Sequence, residues 1–428
     1  MLKVGIGREV ITPEIGGHLY GYSPETISTS VHDNLTVTAF VFEGGAVRSV
    51  LLSVSVCLIQ TELSDEIRET ISRVALVPAT HVVVAVTHTH SGPRTDSSAG
   101  WGALDRTYCN LILLPRCVAA TKAALHALQP AVMGIGRTDS RVGINRRELT
   151  PDGRIKLGQN EWGSFDPAMT LLALRGADGK PLANLIHYGA HCTAAGNNGE
   201  ITRDWAGVMT DIVERETGGM AAFINGAEGD VGPRLTNGKT TGDIRYVQEH
   251  GALAAHDAMR AFRSITEWID VEPEVIMGDL RIPFVPILPE AKARELLGQY
   301  REKPAGNLPL QTYNTLSEIL ELHRKGVSCQ SEFRIQQTML RIGPVMLVPA
   351  PFEVFSAISL QIRKLSPWPH TLVLSGANGS ETYLPSENQL CLGGYEIDSF
   401  RWYKPHRLPD NADNLFIGEI LRILSACR

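Results

Sequence analysis

Residues 50–86 read VLLSVSVCLIQTELSDEIRETISRVALVPATHVVVAV, and this stretch sets the expected architecture. Residues 50–59 and 81–86 are runs of β-branched and apolar side chains without alternation, the pattern of strands covered on both faces. Between them, residues 61–75 space their apolar positions at the helical period. Strand, helix, strand in that order predicts a crossover unit with parallel pairing. Working outward, residues 37–42 add a strand ahead of the unit, and the alanine- and leucine-rich residues 109–128 predict a long helix behind it. Further strands are expected at 171–174, 182–187, 221–224, 271–281, 339–348 and 371–375. Helices are expected at 202–217, 247–262, 290–301, 316–325 and 416–425, with a Pro- and Gly-bearing loop at 303–310. No internal repeat and no low-complexity linker is read from the chain, and the Gly5-x-Gly7 near its start carries no signal by itself. The expected fold is one α/β domain over residues 1–428, a large mixed, mostly buried β-sheet flanked by helices, with 265–335 as a lobe.

Composition narrows the function. The 428 residues carry 40 Lys+Arg against 46 Asp+Glu, a net charge of −6, and 43% are hydrophobic, which excludes disorder as the dominant state. No run of five basic residues offers a phosphate-binding face, so nucleic acid is not an expected partner. No stretch of 18 apolar residues predicts membrane insertion. The opening MLKVGIGREVITPEIGG turns polar too early for a secretion signal. Seven cysteines without a CxxC pair read as reduced, mostly buried thiols of a cytoplasmic protein.

The densest chemistry is Thr87-His88-Thr89-His90-Ser91-Gly92-Pro93, at the carboxyl end of a predicted strand, where open α/β sheets bind ligands. In an extended segment His88 and His90 share a face and suit either two metal ligands or one ligand and one acid/base. A pair of hydrogen-bonded surface histidines is the bland alternative. A second cluster, His187-Tyr188-Gly189-Ala190-His191-Cys192-Thr193, also follows a strand. His191, in the loop, is the one placed to complete a site with His88, leaving His187 to the core. Cys192 and His191 are adjacent and point apart, which argues against a thiol nucleophile.

The loop Asn225-Gly226-Ala227-Glu228-Gly229-Asp230-Val231-Gly232-Pro233 offers Asp230 as a ligand, an acceptor behind a ligand, or a turn cap. Glu353, in Pro351-Phe352-Glu353, is a carboxylate among apolar neighbours and calls for a cation or a hydrogen-bond partner. Later loops at 377–385 and 393–396 also follow strands.

Taken in order, these motifs resemble the neutral/alkaline non-lysosomal ceramidase family of zinc-dependent amide hydrolases. The resemblance runs through Ile11-Thr12-Pro13, Gly21-Tyr22, His32-Asp33, the unchanged His-Thr-His-Ser-Gly-Pro at 88–93, Asn145-Arg146, His191-Cys192-Thr193, Gly229-Asp230-Val231, Pro351-Phe352-Glu353 and the tyrosines Tyr383 and Tyr395. It implies one Zn2+ per chain held by His88, His191, Glu353 and Tyr383, with water as the nucleophile on a carbonyl. It further implies His90 as the proton-transfer group and Arg146 and Tyr395 as stabilisers of the oxyanion. The family's larger enzymes carry a secretion signal and a C-terminal β-sandwich, neither of which is expected here. Gly232 and Phe352 also depart from the family pattern beside the site.

The expected function is therefore hydrolysis of a linear N-acyl amide on a small-molecule substrate, ceramidase-like, with ceramide itself left open as the substrate. The alternatives are a two-metal amidohydrolase using His88, His90, His191 and Asp230, a lactone or ester hydrolase, and a non-catalytic metal- or ligand-binding homologue. The oligomeric state is not legible.

Overall fold

The computed structural model describes residues 1–97, 102–304, 306–327 and 330–426. The chain begins with three antiparallel strands, β1 (Lys3–Val10), β2 (Thr36–Gly44) and β3 (Val47–Val54). Helix α1 (Thr61–Ala75) then carries it over to β4 (Val82–Val86), which pairs in parallel with β3, Val54 opposite Val86. The predicted crossover is present. The strand expected over 50–59 ends at Val54, because residues 55–59 are apolar for a different reason: they are buried in the turn beyond the sheet. Helical residues follow over 106–126, with a π-turn at Cys109–Leu113 before α2 (Leu114–His126).

The second stretch of chain repeats the first, which corrects the expectation of no internal repeat. Strands β5 (Gln129–Asp139), β6 (Ala168–Gly176) and β7 (Pro181–Tyr188) are again antiparallel neighbours. Helix α3 (Asp204–Thr217) crosses to β8 (Met220–Asn225), parallel to β7, and the long α4 (Ile244–Arg263) closes the unit as α2 closes the first. The halves meet where β1 and β5 run antiparallel, giving one eight-stranded sheet in the order β8-β7-β6-β5-β1-β2-β3-β4.

A short sequence trace of the duplication survives. Gly5-Ile6-Gly7-Arg8 in β1 matches Gly134-Ile135-Gly136-Arg137 in β5. In each half the glycines let a helix lie directly on the strand. A Cβ on Gly5 would stand 1.9 Å from the Ala124 carbonyl oxygen, and one on Gly136 would stand 1.9 Å from that of Ala261. Because helix backbone cannot swing aside as a side chain does, Gly5→Ala and Gly136→Ala are each expected to cost about 1–3 kcal/mol, at the upper end of overpacking penalties. Denaturant titration of the variants checks this; an unchanged midpoint would contradict the packing described.

The rest of the chain builds the opposite layer. Strands β9 (Pro273–Pro283), β10 (Glu332–Ile342) and β11 (Val345–Pro349) are antiparallel neighbours, and the later β12 pairs in parallel with β11. Helices α5 (Glu290–Leu297) and α6 (Asn307–Lys325) are inserted after β9, and α7 (Ser356–Leu365) precedes β12 (His370–Leu374). Helices α8 (Tyr395–Trp402) and α9 (Ala412–Ser425) end the chain. Two expectations are corrected here. The strand read at 339–348 is two strands, reversed at Gly343, whose φ of +57° is open to glycine. The loop read at 303–310 already turns helical at Asn307.

The two sheets pack face to face, and the period of two in β2 shows how. Phe40 and Phe42 join Leu340, Ile342, Leu347 and Leu372 between the sheets, while Ala39 and Val41 face α1 and α2. Full burial of each phenylalanine is worth roughly 1.5–3 kcal/mol. Helices α3 and α4 cover the second half in the same way, and α7 and α9 cover the outer face of the small sheet. The architecture is helices, large sheet, small sheet, helices. An open mixed sheet of this order is not the eight-unit βα barrel that the amidohydrolase alternative requires. Among the described residues, Cys57, Cys109, Cys117 and Cys192 are buried free thiols and Cys391 is exposed, while Cys329 and Cys427 lie outside them. No described helix is long and apolar enough to cross a membrane.

Candidate metal centre

Loops leaving the ends of β4, β7, β8 and β11 supply the polar groups that meet between the halves. His88 and His90 follow β4, His191 follows β7, Glu228 follows β8, and Glu353 follows β11. The first two loops are tied by a parallel bridge between Thr89 and Cys192. The short strands Glu353–Val354 and Tyr383–Leu384 pair in parallel with Glu353 opposite Tyr383, which brings the late tyrosine to the site.

His88 and His90 converge, but not by strand alternation. His88 lies beyond β4 with φ of +65°, left-handed backbone that a non-glycine residue adopts only under constraint. The turn brings the two Nε2 atoms to 3.1 Å. Gly21, at φ +124°, leaves the space: a Cβ there would stand 2.4 Å from Cγ of His90.

The ligating atoms of His88, His191 and Glu353 all lie within 4.8 Å of one another, and all three residues are buried. Nδ1 of His191 donates to the carbonyls of Glu228, at 3.0 Å, and Val231, at 3.1 Å, which leaves Nε2 with a lone pair. That Nε2 stands 3.2 Å from Oε2 of Glu353, and Nε2 of His88 stands 3.6 Å from the same oxygen. Neither Nε2 of His191 nor Oε2 of Glu353 has a hydrogen-bond donor. Burial pushes both histidines well below their usual pKa, keeping the rings neutral. Two lone pairs aimed at each other in a buried pocket repel, and a cation between them would relieve that repulsion. The donor set therefore fits a divalent metal, and nitrogen with carboxylate oxygen suits zinc.

The remaining predicted residues surround this group. Arg146 is buried, donating through Nε to Glu396 at 2.8 Å and through Nη2 to the Tyr383 hydroxyl at 3.0 Å. Burial alone would lower its pKa, but Tyr383, Glu396 and Glu353 outweigh that and hold it firmly protonated. Glu396 also accepts from Arg147 at 2.7 Å, so one buried carboxylate anchors both arginines. The Tyr395 ring stands 5.9 Å from that of Tyr383. Burial pushes His90 down to about 4, against the pull of Glu353, so its ring is neutral at pH 7.

Two other residues of interest go elsewhere. Asp230 accepts from Ser356 and from Asn145 Nδ2 at 3.2 Å, clasping α7 to the second half, and it does not join the ligand group. His187 is a core residue within hydrogen-bond distance of the Val373 carbonyl, 2.9 Å. Sequence reasoning passed over two neighbours of the centre. Cys57 forms a second candidate group with His88 and His90, and Glu228 lies 3.9 Å from Nδ1 of His88. Only the duplication would have drawn attention to either, since both occupy the loops that match those of His191 and His88.

The centre opens into a cleft of about 600 Å³ whose walls include Tyr22, Leu157, Asn237, Lys239, Thr240 and Lys156. On its other side a recess of only about 40 Å³ is closed by Tyr20, Cys57, Leu58, Gln311 and Tyr403.

The family described as neutral/alkaline non-lysosomal ceramidase, N-terminal, matches residues 2–250. The chain belongs to this family. Neutral ceramidase B of Dictyostelium discoideum is 29% identical over 252 residues, 53% of this chain and 34% of that protein. Neutral ceramidase A of the same organism is 29% identical over 266 residues, 56% of this chain and 37% of that protein. The matched region thus spans about a third of the length of these curated relatives. In structure, the neutral ceramidase from Pseudomonas aeruginosa superposes with a TM-score of 0.75 at 20% identity, over 99% of this chain and 75% of that one. A ceramidase complexed with C2 gives 0.73 at 19% identity, with the same coverage. These likenesses establish the fold of the family for nearly the whole chain.

Proposed function

We propose that this member of the ceramidase family is a zinc-dependent hydrolase of linear N-acyl amides, with one zinc held by His88, His191, Glu353 and Tyr383. The observation that carries the reading is the buried confrontation of His191 Nε2 and Glu353 Oε2 at 3.2 Å, with His88 beside them. When bound there, zinc supplies Lewis acidity that makes water a nucleophile near neutral pH and polarises a carbonyl.

The chain's own residues do the rest. His90, neutral and beside His88, takes a proton at Nε2 and passes it to the departing nitrogen. Arg146, fixed by Glu396 so that its charge cannot swing away, stabilises the negative charge that develops on the carbonyl oxygen, and Tyr395 assists from the same wall. The 40 Å³ recess limits the group on its side to a few atoms. The cleft on the other side has hydroxyls, amides and two lysines on its walls, with Leu157 among few aliphatic groups. These polar groups stand beside the rings of Tyr22, Tyr383 and Tyr395, so the cleft suits an N-acyl compound that carries a polar part.

A panel of N-acyl compounds varying in chain length and head-group charge, run with matched esters, tests the proposal. Short, polar amides are expected to be turned over, chelation to abolish turnover, and added zinc to restore it. Turnover that survives complete metal removal would overturn it. A second reading with two cations is favoured by the Cys57, His88 and His90 grouping. Two metals per chain rather than one would establish that reading.

A further inference from the structure

Glu228 is completely buried; neither carboxylate oxygen is satisfied at strict hydrogen-bond geometry, and the neighbouring Ser375 hydroxyl only partly eases its charge. A carboxylate in that condition is costly to fold around, so its retention calls for a partner. Oε1 lies 3.9 Å from Nδ1 of His88, which is itself buried without a hydrogen bond. The contrast with His191 is informative, because there the non-ligating Nδ1 is fixed by two backbone carbonyls. His88 has no such carbonyl; the group facing its Nδ1 is the Glu228 side chain. The duplicated fold accounts for the placement. Counted back from the Gly-Pro pairs that end the two loops, Gly92-Pro93 and Gly232-Pro233, His88 and Glu228 occupy matching positions. The two loops face one another where the outermost strands β4 and β8 of the sheet approach each other.

We propose that Glu228 is a positioning residue for His88, accepting the Nδ1 proton so that Nε2 is fixed toward Glu353 and the ring binds a cation more strongly. Carboxylates play this part behind metal-bound histidines generally. The inference rests on the metal centre proposed above and adds to it a residue that does not touch the metal.

The test uses the full chain with Glu228→Gln and Glu228→Leu, stripped of metal. Zinc affinity is measured by competition with a chromogenic chelator, and the melting midpoint of each metal-free protein is recorded. Glu228→Leu is expected to weaken zinc binding about 10–100-fold. Its metal-free midpoint is expected to hold or rise, because a desolvated carboxylate has been exchanged for an apolar group. Glu228→Gln keeps an acceptor without the charge and is expected to fall between the parent and the leucine variant. If Glu228→Leu does not fold, Glu228→Gln decides. Variants that bind zinc as tightly as the parent overturn the inference and leave the metal centre standing. A lower metal-free midpoint in step with the lost affinity makes Glu228 merely structural and also overturns it. A parent that binds no zinc overturns both.

Discussion

His88→Ala is expected to lose bound zinc and hydrolysis together. The ring contributes one of three buried donors that lie within 4.8 Å of one another, and it touches both Glu353 and His90. Without it, His191 and Glu353 cannot close around a cation, and the Lewis acidity worth several kcal/mol at the reacting carbonyl goes with it. That corresponds to a loss of turnover of about 10³-fold or more, at 1.36 kcal/mol per tenfold. Elemental analysis of the purified variant beside an amide-hydrolysis assay checks both halves of the statement. The alanine leaves a void and takes a neighbour from Glu228 and Glu353, so circular dichroism is recorded beside the assay and is expected to show a folded, somewhat less stable protein. Stoichiometric zinc with turnover intact in this variant would end the metal-centre reading.

His90→Gln separates the two histidines of the motif. Glutamine fills most of the space that Gly21 leaves for the imidazole, while it cannot carry a proton between water and a leaving nitrogen. Turnover number is expected to fall about 10²–10⁴-fold, the usual range for removing a general acid or base. Zinc content is expected to stay at the parental level and KM to change little. Loss of zinc in this variant would instead make His90 a ligand and favour the second group it forms with Cys57 and His88.

The crossover at residues 50–86 was readable because both its strands are covered on two faces and its helix on one, so hydrophobic pattern and pairing coincide. The loops that follow strands were readable for the same reason, and they carry the candidate ligands. What escaped was set by tertiary packing. The strands β1 and β5 have glycines where helices press on them, and a strand without side chains on one face loses its signature. The duplication was hidden because so little of it survives as identity, chiefly Gly-Ile-Gly-Arg, while the pairing order repeats in full. Within the centre, His88 and His90 come together through a left-handed turn at His88 rather than through strand alternation. Asp230 attracted attention over Glu228 because composition cannot tell which of two neighbouring carboxylates faces a helix and which faces a histidine.

The three buried donors hang from three separately built parts: His88 from the first half, His191 from the second, and Glu353 from the layer behind them. An ion gripping all three acts as a cross-link between stretches of chain up to 265 residues apart, counted from His88 to Glu353. Free cation at a thousand times its dissociation constant would add about 4 kcal/mol to the cost of unfolding. Because the parts must come together before the grip can form, that energy opposes their separation as much as their melting. On the proposed metal centre, loading would add one more tie among the two halves of the large sheet and the layer behind them, which already share a core.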